Sequence, residues 1–194
     1  MRIVELIIDE KQDNAGIDAV SVVENPAIEE DFVALKKHNV ELKTINEEKR
    51  VLMGAALVPD KQIYRRNEKN EEYYIFFSAN TILKASQLFF KKGNQNNATT
   101  EHNEKVSGMT CFESWIVEDK DKDKSALYGF DVPVGTWMLS MQVNNDDVWK
   151  DVKEGKYKGF SIEGYFQEKE ELNKQLSEEE VLNQIKELIS KFKV

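Results

Sequence analysis

A single cysteine, Cys111, among 194 residues leaves no partner for an internal disulfide. With two histidines, His38 and His102, it also falls short of a tetrahedral zinc site built on Cys and His, so no structural metal and no cofactor is expected. Positive charge is in the minority: 27 Lys and Arg stand against 36 Asp and Glu, a formal net charge of -9. A surface for phosphate backbones needs clustered cations. Here the lysines are interspersed with acids, which argues against nucleic acid as the main partner. No stretch approaches the ~20 apolar residues of a membrane helix, and the N-terminus lacks the basic-then-apolar layout of a secretion leader. The expectation is a cytoplasmic chain without a membrane partner. Glycine is too sparse in the right places for a phosphate loop or a dinucleotide fingerprint, so ATP-driven and hydride chemistry are poor candidates.

What is present suits one substantial core, with 40% hydrophobic and 10% aromatic residues. Met1 to Glu10 and Ile17 to Pro26 read as extended pieces separated by the turn Asp13-Asn14-Ala15-Gly16. Val40 to Ile45 and Lys49 to Val58 read as a hairpin about Asn46-Glu47-Glu48, with Gly54 marking a bulge or a close backbone contact. Tyr73 to Phe77 is an aromatic strand. Asn80-Thr81 caps a helix with Ile82, Ala85, Ser86 and Phe89 on one side, stopped by Lys91-Lys92-Gly93. Thr136 to Val143 is a further strand, and Asn144-Asn145-Asp146-Asp147 caps a short helix ending near Gly155. After a single unit over 1–168, residues 169–194 read as a charged linker and an amphipathic helix. That helix carries Leu182, Ile185, Leu188, Ile189 and Phe192 on one side, behind a capping box at Ser177.

The chemistry-bearing stretch is Gly159-Phe160-Ser161-Ile162-Glu163-Gly164-Tyr165-Phe166. At period two, Phe160, Ile162, Gly164 and Phe166 share one face, and Ser161, Glu163 and Tyr165 share the other. The flanking glycines let a second backbone approach the serine. Such a serine suits a nucleophile, and it equally suits a surface hydroxyl beside a bulge.

A serine nucleophile needs a base and a group that orients the base. His38 lies in a charged, weakly patterned stretch and reads as an exposed side chain, which leaves His102. If Ser107-Gly108 are the central residues of a tight turn, Val106 pairs with Met109, and counting outward sets His102 opposite Glu113. Glu104 shares the face of His102, Glu101 points away from it, and Glu163 lies on the face of Ser161. Cys111 is a less favoured thiol nucleophile, since isolated cysteines usually serve packing. No histidine follows Ser161, so the chain order of the α/β-hydrolases is not met.

Thr100-Glu101-His102, Phe112-Glu113-Ser114-Trp115-Ile116-Val117, Gly135-Thr136-Trp137, Val148-Trp149, Gly155 and the Gly159 to Gly164 run resemble the phage head maturation (prohead) proteases, specifically the XkdF-like phage serine proteases. Val58-Pro59-Asp60-Lys61 with Ile63-Tyr64-Arg65, and Gly16 to Ser21 with Asn25-Pro26-Ala27, extend the resemblance over most of residues 1–168. It implies an α+β fold built on a mainly antiparallel β-barrel related to the herpesvirus assemblin proteases, with a few surrounding helices. It implies a serine endopeptidase that cuts scaffold protein and major capsid protein extensions inside the procapsid, in the bacterial host cytoplasm. By the same resemblance His102 is the base and Ser161 the nucleophile. The third member varies across that wider group between a second histidine and a carboxylate, and Glu113 is the choice here.

Two other classes compete. One is an inactive shell-assembly protein that keeps the fold and docks through the terminal helix. The other is a small-ligand barrel built around the Tyr73 to Phe77 strand. The Leu182 to Phe192 stripe fits packing within the monomer, a homo-oligomer interface, or removal on activation.

Overall fold

The computed structural model describes residues 2–26, 33–34, 49–67 and 69–169. His38, the first strand of the expected Val40 to Ile45 hairpin and the terminal helix lie outside these residues. The described residues are mostly strand with a few helices, arranged as three four-stranded sheets.

The central sheet holds β4 (Val51–Leu57) and β10 (Trp137–Val143) side by side, with β3 (Val33–Ala34) outside β4 and β9 (Met109–Ile116) outside β10. Every residue of β4 is buried, as its unbroken apolar run requires of a strand covered on both faces. The register against β10 shifts at Trp137 and Met138, so the irregularity falls opposite Ala56 rather than at Gly54.

In a second sheet, β1 (Arg2–Ile7) lies between β12 (Gln167–Glu168) and β6 (Glu72–Phe77), and β5 (Ile63–Arg66) closes the far side. The third sheet runs β11 (Gly159–Tyr165), β2 (Gly16–Val23), β7 (Ala98–Thr100) and β8 (Glu104–Val106). The β1/β6 and β2/β7 pairings are parallel and the others antiparallel.

The α+β class and the predominance of antiparallel pairing hold, but the expected barrel is not formed by the described strands. Among the described residues no pairing joins one sheet to the next, and β5 and β11 each stand at the edge of a sheet. What unites the sheets is a single apolar core, in which Val20, Val22, Leu52, Met53, Leu139 and Phe160 are fully excluded from solvent.

Helix α1 (Ala79–Lys91) covers this core with Ile82, Ala85 and Phe89, the stripe expected from period 3.6. Its N-cap is Ser78 rather than Asn80 or Thr81. Phe89 meets Trp137 edge to face at 5.6 Å, which ties the helix to the central sheet. A short helix, α2 (Lys124–Leu127), sits in the connection after β9. Helix α3 (Asp146–Lys153) starts where expected: the Asn145 side chain accepts from the Val148 N–H at 3.0 Å. Among the described residues no helix is long and apolar enough to cross a membrane.

Candidate active site

Ser161 stands in the middle of β11, the edge strand of its sheet, and is half-buried. Its antiparallel partner is Ser21 of β2, so the two hydroxyls share a face. Glu163 follows two residues on and lies on that face as well. Immediately after it the register slips between Glu163 and Gly164. The slip presses the two backbones together: a Cβ on Gly164 would stand 2.1 Å from the Gly16 carbonyl oxygen and 2.7 Å from the Ile17 Cα. The close backbone approach expected beside the serine therefore occurs at Gly164, and it is made by β2.

The parallel pairing of β2 with β7 aligns Ser21 with Thr99, which adds a third hydroxyl to the same face. The Thr99 hydroxyl donates to Glu163 Oε1. Beyond Thr100 the chain reverses through residues 101–103 into β8, and two of these three residues, Glu101 and His102, take left-handed backbone with φ of 49° and 59°. Side chains hold this turn in place. The Glu101 carboxylate accepts from the Glu24 N–H at 2.6 Å, and the His102 N–H donates to the buried Ser21 hydroxyl at 3.1 Å. Non-glycine residues in left-handed backbone are uncommon, and they gather where a site dictates geometry.

The turn sets the His102 ring over the serine face, where Nδ1 lies 3.2 Å from Glu163 Oε1. The imidazole and the carboxylate are 42% and 31% exposed, so the pair is open to solvent on one side. Among the described residues no hydrogen bond reaches the Ser161 hydroxyl. His102 and Ser161 are thus neighbours through Glu163 and Ser21 rather than direct partners.

Glu113 is elsewhere, and this corrects the expected pairing. Ser107-Gly108 does not close a hairpin: β8 before it pairs with β7, and β9 after it belongs to the central sheet. The connection is fastened instead to the start of α3, where the Asn144 N–H donates to the Gly108 carbonyl at 2.7 Å and the Asn145 amide donates to the Ser107 carbonyl. A side chain at Gly108, whose φ is 79°, would press on the Asn145 backbone nitrogen at 3.3 Å.

Glu113 lies opposite the buried Ser140 of β10 and accepts its hydroxyl at 2.6 Å. Both of its oxygens also take the Lys124 ammonium at 2.5 Å. Partial burial pushes the Glu113 carboxyl up, but Lys124 and Ser140 outweigh it, and the net pKa lies below the ordinary value. Lys124 in turn sits 5.2 Å from the centre of the Trp115 ring, and Trp115 donates to Asp123 at 2.8 Å. This network fastens the 119–128 connection to the sheet. Of the predicted trio, then, Ser161 and His102 reach one neighbourhood and Glu113 does not.

Burial pushes the Cys111 thiol up to about 12, which makes it an inert packing group rather than a thiolate nucleophile. Among the described residues no group of three or more His, Cys, Asp and Glu side chains could hold a metal ion. Sequence reasoning passed over Ser21 and Thr99. A polar residue inside the buried run Val20-Ser21-Val22 was the available sign, because a buried hydroxyl must find a partner.

Comparison with known proteins agrees with the resemblance. Among curated proteins and solved structures, no match was found. A family model described as "Putative phage serine protease XkdF" matches residues 39–170, a span that holds His102, Glu113, Ser161 and Glu163. The match takes in more than half of the chain, and the protein belongs to this XkdF family of phage proteins.

Proposed function

We propose that the protein is a serine endopeptidase in which Ser161 attacks a peptide carbonyl, His102 takes the serine proton, and Glu163 fills the role first assigned to Glu113. The observation that carries this reading is the contact between His102 Nδ1 and Glu163 Oε1, made on the strand face that also bears Ser161. A carboxylate on Nδ1 fixes the tautomer that leaves Nε2 free as a base, and it stabilises the imidazolium that forms as the serine is deprotonated. The ring is partly exposed, and its movement toward Ser161 when substrate excludes water is part of the proposal. Catalytic hydrogen bonds often tighten only with substrate bound. Backbone N–H groups stabilise the oxyanion. The open edge of β11 offers an extended peptide main-chain bonds alongside the nucleophile.

Family membership supports the biological setting. The substrates are phage scaffold and major capsid protein, trimmed inside the assembling procapsid in the bacterial host cytoplasm. A homo-oligomer joined through the 182–192 stripe is part of the same proposal. The competing reading keeps the fold as a catalytically inactive shell component. A fluorophosphonate probe separates the two: it labels wild-type protein at Ser161 and fails on Ser161→Ala. Absence of labelling at Ser161 in the wild type would favour the inactive shell component.

A further inference from the structure

A recess opens where the free edge of β11 approaches β4, β5 and β6. Leu57, Ile63, Phe77 and Phe160 form its apolar wall, and Ser161 lies at its margin. One residue breaks that pattern, the exposed Arg65. It is in the recess for a geometric reason. Along β5, Ile63 and Arg65 point to the core side of the sheet, while Tyr64 and Arg66 point to the opposite face.

The acid that serves this hairpin is on the wrong face for Arg65. Glu72 stands opposite Arg66 and takes its guanidinium at 2.9 Å and the Tyr64 hydroxyl at 2.8 Å. Arg65 donates only to the carbonyl of Tyr64, at 3.0 Å, and no carboxylate pairs with it among the described residues. The Arg65 side chain stays exposed, within reach of a ligand, and partial desolvation lowers its pKa. Arginine offers a five-donor fork matched to a carboxylate, so most of its bonding capacity here is unused.

We propose that Arg65 is a specificity-determining residue, pairing with the side-chain carboxylate of a Glu or Asp in the peptide bound beside Ser161. The inference rests on the endopeptidase reading above and names its substrate class: segments with an acidic residue adjoining the cut. The recess is small, about 30 Å³, and its wall residues are buried, so the acidic side chain lies across its mouth and Arg65 takes its charged end. An apolar side chain would cover the guanidinium and leave it without a partner, and a lysine would meet like charge. Selectivity against neutral and basic residues follows from those unpaired or repelled groups.

The test does not require turnover. Ser161→Ala protein is titrated, by NMR, with acetylated and amidated Ala-Ala-Glu-Ala-Ala and with the Gln counterpart, so that the side chain carries the only carboxylate. The Glu peptide should bind about tenfold or more tightly than the Gln peptide, the size of a charge-assisted bond. Adding Arg65→Gln should erase the difference, and Arg65→Glu should turn the preference toward a Lys peptide. Equal affinities in the Ser161→Ala protein, no binding by either peptide, or a preference that survives Arg65→Gln would overturn the assignment. A preference only for peptides with a free C-terminus would also overturn it, in favour of a product carboxylate. An acidic preference in a protein that no serine probe labels would leave Arg65 its role and remove the protease reading instead.

Discussion

Replacing Glu163 by Gln keeps the volume of the side chain and an acceptor for Thr99, and removes only the negative charge beside His102. The cost can be bracketed. Two unit charges at the observed 3.2 Å attract by about 5 kcal/mol at an effective dielectric of ~20. Pairs in free contact with water are worth only about 1 kcal/mol or less. With 42% and 31% of the side chains exposed, the pair lies between these limits, and about 2 kcal/mol is a reasonable middle value. If that energy stabilises the imidazolium as Ser161 is deprotonated, the rate should fall by about 30-fold.

The measurement is the second-order rate of fluorophosphonate labelling at Ser161, which needs no knowledge of the natural substrate. Glu113→Gln is the matched control, because it alters a carboxylate of the same kind in the Lys124 and Ser140 network. We expect Glu163→Gln to slow labelling about 30-fold with an unchanged melting temperature. Glu113→Gln should leave labelling within about twofold while lowering stability by about 1 kcal/mol. If Glu163→Gln labels at the wild-type rate, the contact with His102 is not part of a catalytic relay. If Glu113→Gln alone is slow, the original pairing was right.

Two further outcomes concern the frame of the site. Gly164→Ala sets a methyl carbon against the Gly16 carbonyl and should destabilise the protein by about 3 kcal/mol or more, read as a lowered urea midpoint; wild-type stability would mean the β11 and β2 backbones separate easily. Glu113, whose folded pKa lies below its ordinary value, adds stability that is complete above the unfolded pKa of ~4.3 and is lost as pH falls through the folded value. The stability gap between wild type and Glu113→Gln should therefore stay level from pH 7 to about 5 and narrow below about 4.3; a gap that persists unchanged at pH 3 would contradict the ion pair.

Local pattern carried much of this fold. Helices α1 and α3 appear with the expected buried faces, since 3.6 periodicity and an Asn cap act within a few residues. The strand of Ser161, its outward serine and the tight approach at a glycine were also legible, because alternation and the missing side chain are properties of the strand itself. Long-range pairing was not legible. Counting outward from Ser107-Gly108 presumes that the strands on either side of a turn pair with each other, whereas β8 and β9 join different sheets. The contact that does hold His102 comes from β2 pairing in parallel with β7 and antiparallel with β11, which brings residues 21, 99 and 163 together across long separations. Nothing in the spacing of those residues announces it. The Asn145 contacts to the Ser107 region likewise arise only once α3 has docked.

The left-handed backbone at His102 bears on how its chemistry can be probed genetically. Alanine, the customary knock-out, is poorly suited to that conformation, so it would disturb the bend as well as delete the ring, and a dead variant would confuse misplacement with lost proton transfer. Asparagine visits the same conformation far more readily and has no imidazole. A silent His102→Asn protein that retains its native melting temperature would therefore report on the ring alone.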